Sequence, residues 1–179
     1  MRTILIAATV LAFGVTAANA ANIALLTKPT VFFAGHNDLA VDQHGLLNDS
    51  TKTQTNAAGY NWLNVGQNGA RNASNVNQTA LDGVNLGGTY QTGVLNNAQL
   101  NQQALKGFNE ADIDQLGLFN QAQTNQLAIN GGENYSATIQ TGIANLSLTN
   151  QAAAGGGNNY SSVSQSGLGN VSTTTQIAY

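Results

Sequence analysis

"QTGVLNNAQLNQ", residues 91–102, holds six amide side chains and no charge. Whether those amides are placed or merely abundant decides the fold. They are placed. The pattern Gln-x-Gly-x-x-Asn-x-[Ala/Ser]-x-x-x-Gln occurs six times, opening at Gln43, Gln67, Gln91, Gln115, Gln140 and Gln165 in steps of 24, 24, 24, 25 and 25 residues. Its central column is Asn48, Asn72, Asn96, Asn120, Asn145 and Asn170. Its closing column is Gln54, Gln78, Gln102, Gln126, Gln151 and Gln176. Six residues before each opening Gln stands a further Asn: Asn37, Asn61, Asn85, Asn109, Asn134 and Asn159. Twelve of the sixteen Gln fall in two columns, which loose compositional bias does not produce. A fixed period of this kind marks a stacked repeat architecture.

The spacing inside a copy has a period of two. In "NEADIDQ" (109–115), Asn109, Ala111, Ile113 and Gln115 share one face of a strand, and Glu110, Asp112 and Asp114 share the other. In "NQAQTNQ" (120–126), Asn120, Ala122, Thr124 and Gln126 share a face. Each copy is therefore expected to supply two seven-residue strands with an amide at both ends of the inward face. Small or apolar residues lie between, such as Leu39 and Val41, Leu63 and Val65, or Val76 and Leu100.

Four residues separate the two strands, with glycine second: Gly45, Gly69, Gly93, Gly117, Gly142 and Gly167. Glycine reaches backbone angles that a tight turn requires. The residue after it is apolar in every copy (Leu46, Ala70, Val94, Leu118, Ile143, Leu168) and is expected to plug the end of the core.

One such unit cannot bury its inner face alone, but stacked units can. At about 4.8 Å per rung, six rungs make a column ~29 Å tall. The expected fold is all-β: a β-solenoid of six strand–turn–strand repeats with a cross-β, amyloid-forming character. The repeats span 37–54, 61–78, 85–102, 109–126, 134–151 and 159–176. The inward amides should form ladders, each donating to its equivalent on one side and accepting on the other. The outward amides, Asn97, Gln99 and Asn101 in the third copy, should merely keep the surface polar.

Composition narrows the function. Residues 1–20 carry Arg2, an apolar run from Ile4 to Val15, and a small-x-small close at Ala18–Ala20. That is the pattern of a secretory leader with cleavage after Ala20. The run falls short of the ~20 residues a membrane span needs. The mature chain then has an N-terminal segment, 21–36, and a repeat domain, 37–179. It holds four basic and eight acidic residues, a net charge of −4, with no basic cluster to suggest nucleic acid. It has no Cys. From Asn134 to Tyr179 there is no charged residue, and the one Pro, Pro29, precedes the repeats. Strand edges left without charge, Pro or a cover are templates for further pairing. A linear polymer of the chain with itself is expected.

The repeats resemble those of the curlins, exported subunits of bacterial functional amyloid fibres, whose pattern is Ser-x5-Gln-x-Gly-x-x-Asn-x-Ala-x3-Gln. The likeness covers residues 37–176, with Asn in place of the first Ser. It implies a structural subunit of an extracellular, cell-surface fibre, with no catalytic role and no cofactor, serving biofilm matrix, adhesion and aggregation. It implies an outer-membrane secretion channel and a minor nucleator subunit as partners. It also implies that Gln43, Asn48, Gln165 and Asn170 matter most for seeding and growth, and that Asp82, Gly87, Gly88, Asp112 and Asp114 are gatekeepers against premature aggregation.

Glu110, Asp112 and Asp114 could suggest Ca²⁺, but calcium-binding solenoids carry Asp in every turn, and here one copy has the cluster. His36 and His44 have no partner motif for acid–base work. Trp62, Tyr135 and Tyr160 share an outward column and could make a ligand surface. Two alternatives remain beside the fibre subunit: a monomeric secreted β-solenoid binding a surface or carbohydrate, and a β-helix enzyme acting on polysaccharide. The first copy, charge-rich and with Lys52 on its nominal inner face, is either distorted or a partial cap.

Overall fold

The computed structural model describes residues 35–179, together with the backbone of three short strands before them: β1 (Val15–Ala18), β2 (Ile23–Leu26) and β3 (Thr30–Phe32). The expected leader and most of segment 21–36 otherwise lie outside the described residues.

Each repeat folds as a pair of strands. The first members are β4 (His36–Leu46), β6 (Tyr60–Ala70), β8 (Val84–Val94), β10 (Phe108–Leu118), β12 (Glu133–Ile143) and β14 (Asn158–Leu168). The second members are β5 (Asp49–Ala57), β7 (Ala73–Leu81), β9 (Asn97–Leu105), β11 (Gln121–Ile129), β13 (Leu146–Ala154) and β15 (Val171–Ala178). Like members pair in parallel, so the twelve strands form two facing sheets and the chain is a β-solenoid of six turns. Register is identical throughout: Gln43 pairs with Gln67, Gln67 with Gln91, and so on to Gln165. The sheet of first members gains β1 beside β4; the other gains β2 and β3 beside β5.

The strands exceed the expected seven residues, reaching eleven in the first sheet and nine in most of the second. Only two residues, such as Leu95 and Asn96, separate the members of a pair. The cause is the glycine column. All six turn glycines hold φ between +107° and +127°, so every rung bends at one place and inter-rung pairing continues through the bend. The column also packs too closely for side chains: a Cβ on Gly93 would collide with the carbonyl oxygen of Gly117. Two residues on, Leu47, Arg71, Leu95, Phe119 and Ala144 are left-handed, with φ of 56–59°. Each such residue costs ~1–2 kcal/mol, and the stacked neighbours hold it in place. Leu95 N–H, for example, donates to the Ala70 carbonyl at 3.0 Å.

The expected core plug is not there. Leu46, Leu118, Ile143 and Leu168 are exposed, Leu168 to 75%. Alternation gives the inward place after Gln91 to Gly93 and turns Val94 out; the left-handed Leu95 then swings Asn96 back inside. The apolar core instead lies mid-strand: Val41, Leu63, Val65, Val76, Ala98, Leu100, Ala111, Ile113 and Ala122 form one cluster through the first four rungs. Rungs five and six fill the same columns largely with Ser136, Thr138, Ser147, Thr149 and Ser161, whose hydroxyls are buried without partners.

The first copy is a regular rung. Asn37, Gln43 and Gln54 stand in register with Asn61, Gln67 and Gln78. Lys52 is buried inside it, its Nζ donating to the Ser74 carbonyl at 2.8 Å and the Ser74 hydroxyl at 2.9 Å. Ser74 Oγ lies 2.7 Å from Thr89 Oγ1, which extends the network into the third rung.

Candidate functional site

The columns of inward amides run the height of the solenoid, and each has a direction. Both Gln columns donate toward the C-terminal end. Gln43 Nε2 donates to Gln67 Oε1 at 2.6 Å, and the chain continues through Gln91, Gln115 and Gln140 to Gln165 at 2.8 Å per step. Gln54, Gln78, Gln102, Gln126, Gln151 and Gln176 do the same at 2.8–2.9 Å. The second Nε2 hydrogen ties the facing sheet: Gln91 to the Ala73 carbonyl, Gln102 to that of Leu86, both across the core.

The leading Asn column runs the other way. Asn61 Nδ2 donates back to Asn37 Oδ1 at 2.9 Å, and Asn85, Asn109, Asn134 and Asn159 repeat this at 2.8–2.9 Å. Each also donates to a carbonyl of the preceding rung, as Asn85 does to Thr79.

The central Asn column departs from a simple side-chain ladder. Its Oδ1 accepts the backbone N–H of the next Asn, as Asn72 Oδ1 does from Asn96 at 3.1 Å. Its Nδ2 turns to the corner, where Asn96 reaches the Thr92 and Gly117 carbonyls. Side-chain to side-chain bonds join only some members, such as Asn145 to Asn120 at 3.1 Å. The short Asn side chain sits where the chain bends, and the corner carbonyls are closer targets than the amide one rung away.

One outward column is also a ladder, contrary to the expectation that outer amides only keep the surface polar. Asn77 Nδ2 donates to Asn101 Oδ1 at 3.0 Å, Asn101 to Asn125 at 2.8 Å, and Asn125 to Asn150 at 2.8 Å. The signal was present as Asn in four of six copies, with Thr53 and Thr175 at the ends. An open groove of about 560 Å³ runs beside it on the second sheet, lined by Asn125, Leu127, Asn150, Ala152 and Ile177 among others.

The gatekeeper candidates occupy distinct places. Asp82 takes a left-handed corner with φ of 54°. Gly87 faces the core, where a Cβ would press on Leu100 and on the Gln78 and Gln102 amides. Gly88 faces out and leaves room for the Asp112 carboxylate above it. Burial holds the Asp112 carboxyl above the usual range; burial and then the Asp112 charge do so for Asp114. Burial lowers the Lys52 ammonium to about 7, the Asp49 carboxylate opposing.

His36 stacks on Tyr60, with ring centroids 5.3 Å apart. His44 Nε2 lies 3.1 Å from Asp42 Oδ1 on the surface. Trp62, Tyr135 and Tyr160 share one outward column, but Leu86 and Glu110 separate Trp62 from Tyr135. Among the described residues no group of three or more His, Cys, Asp or Glu comes together.

The last rung completes the geometry. In Gln140 the two Nε2 hydrogens reach the Gln121 carbonyl and Gln165 Oε1. Gln165 keeps the first type of bond, to the Leu146 carbonyl at 3.0 Å, and Gln176 keeps its bond to the Tyr160 carbonyl at 2.8 Å. Among the described residues, β14 and β15 have a neighbouring strand on one side alone. Comparison with protein-family models, curated proteins and solved structures returned no match.

Proposed function

We propose that this protein is the structural subunit of an extracellular amyloid fibre of curlin type, exported by its leader and assembled by stacking rung on rung. The carrying observation is the pair of inward Gln columns, in which like residues bond from rung to rung in one direction at 2.6–2.9 Å. A two-sheet parallel solenoid in constant register supports the reading, because another copy continues both sheets with the same 4.7–4.8 Å spacing. In that role the fibre serves biofilm matrix, adhesion and aggregation, and its partners are further copies, a nucleating minor subunit and an outer-membrane channel. The ladder residues then act in self-assembly, and Asp82, Asp112 and Asp114 slow it before export.

The groove on the second sheet favours a second reading, a monomeric solenoid that lays a carbohydrate chain along the column. Incubating the purified mature chain separates the two. Fibres with a meridional reflection near ~4.7–4.8 Å and thioflavin fluorescence are expected. A chain that stays monomeric for days at high concentration, and binds a glycan, would sink the fibre reading.

A further inference from the structure

We infer that β2 and β3 are a built-in cover on the first rung, an autoinhibitory contact along β5 that must lift before another copy adds there. This rests on the assembly reading above and adds a brake to it.

The route of the chain into rung one places the cover. Successive rungs are joined through a glycine corner: Gly59, Gly83 and Gly107 stand immediately before β6, β8 and β10. The corner has no room for a side chain, since a Cβ on Gly83 would collide with Ala104 and one on Gly107 with Ala128. Gly35 stands before β4 in the same way. Its Cβ would collide with the side chain of Asn56, which is in register with Ala80 and Ala104. Rung one is therefore entered as the later rungs are, from a segment lying along its second strand. That segment is β2 and β3. Ile23–Leu26 pair in parallel with residues 49–52 of β5, and Thr30–Phe32 with residues 55–57.

What lies there does not continue the repeat. Three residues, Thr27, Lys28 and Pro29, join β2 to β3 where β5 spends two, Thr53 and Gln54, so the register slips by one between the two strands. Between β5 and β7, or β7 and β9, it runs without a slip. Proline has no N–H to give to a ladder. Residues 23–32 hold no Asn or Gln with which to extend an amide column. Short strands, a Lys, a Pro and an extra residue are the features by which edge strands block further pairing. The single Pro of the chain and one of the four basic residues of the mature chain fall in this segment. The opposite end carries none of them: β15 keeps register with β13 over all its eight residues, without Pro or charge. In the uncleaved chain β1 covers β4 as well, with residues 15–18 in register with 41–44. Cleavage after Ala20 would remove β1 and bare β4. The cover on β5 would stay, so it is the one that acts in the mature chain.

The chain has no Cys, so an introduced disulfide locks the cover cleanly. Leu25 and Thr51 are register partners of a parallel pair. Neighbouring strands lie about 4.8 Å apart, inside the ~4.4–6.8 Å Cα range of disulfides. Dilute monomer of the full-length mature chain with Leu25→Cys and Thr51→Cys should form the intramolecular bond under mild oxidation, as peptide mapping would show. The locked chain should lose fibre growth, read by thioflavin fluorescence, and regain it on reduction. The unmodified chain, which has no thiol, should grow alike with and without oxidant. A locked chain that grows fibres as fast as its reduced form overturns the inference while leaving the assembly reading intact. A folded monomer in which the two thiols do not join does the same. If that pair impairs folding, Thr30→Cys with Thr55→Cys, partners in β3 and β5, is read in the same way. Fibres from neither redox state nor from the unmodified chain would overturn the assembly reading itself, and the brake with it.

Discussion

Replacing Gln91 by Leu tests whether the inward amides hold the solenoid together. Gln91 is 1% exposed and sits in the middle of its column. It accepts from Gln67 Nε2 at 2.8 Å, donates to Gln115 Oε1 at 2.8 Å and donates to the Ala73 carbonyl at 2.9 Å. Leucine fits the space but makes none of these bonds. It strands one Gln67 hydrogen and the Gln115 oxygen, both buried, at ~1–3 kcal/mol each. Its better apolar burial offsets about 1 kcal/mol, near the value of one buried methylene. The net loss is about 3 kcal/mol. Gln99→Leu in the same repeat is the control, because Gln99 faces solvent and surface changes usually stay within about 0.5 kcal/mol. Urea unfolding of dilute monomer, followed by circular dichroism, should show the Gln91→Leu midpoint falling by roughly 1.5 M for a slope near 2 kcal/mol/M. The Gln99→Leu midpoint should barely move. Equal shifts in the two variants would refute the argument. Gln165→Leu strands only Gln140 Nε2, so in the monomer it should cost about half as much as Gln91→Leu.

Two further outcomes follow from the interior. Lys52 has a folded pKa of about 7 against 10.5 when unfolded, because burial disfavours its charge. The folded chain therefore binds fewer protons between those values, and stability should rise as pH goes from 7 toward 10, with the full cost felt below 7. Lys52→Met should remove most of that slope and stabilise the chain at pH 6 by a few kcal/mol, as paired urea titrations at pH 6 and pH 9 would show. In rung five, Thr149 is buried with an unpartnered hydroxyl, so Thr149→Val should raise stability by about 1–2 kcal/mol in the same assay. A destabilised valine variant would mean that the hydroxyl is bonded in solution.

The register was legible in the sequence because a column of identical residues every 24 or 25 positions leaves no other way to align the rungs. The inward faces followed from alternation alone, and Asn109, Ala111, Ile113 and Gln115 are all buried. What alternation could not supply is what happens at a bend. The corner residues Val94, Leu118 and Leu168 were placed inside because apolar residues usually are, but the glycine before each holds the inward position. The outer ladder of Asn77, Asn101, Asn125 and Asn150 was also missed. Polarity alone says that a residue faces water, whereas constant register puts like amides ~4.8 Å apart whichever way they face. The regular placement of Lys52 was not legible, because alternation does not reveal that Ser74 one rung away accepts hydrogen bonds from its Nζ through both carbonyl and hydroxyl.

The distribution of core material along the column bears on how such a chain holds together. Rungs one to four share a continuous apolar cluster, whereas rungs five and six bury Ser136, Thr138, Ser147, Thr149 and Ser161 with no partner for their hydroxyls. Buried hydroxyls contribute little and cost free energy when unbonded. The ladders, by contrast, keep the same length and direction to the last rung, at 2.8 Å from Gln140 to Gln165 and from Gln151 to Gln176. The C-terminal rungs therefore depend more on inter-rung hydrogen bonds and less on a hydrophobic interior than the rungs before them. Among the described residues, rung six has a strand neighbour on one side alone. A further rung would add bonds where the core contributes least, so stacking should stabilise rung six more than any other. Amide exchange at Gln165 and Gln176 should then slow on assembly by a larger factor than at Gln91 and Gln102; equal slowing would argue against a joint at that end.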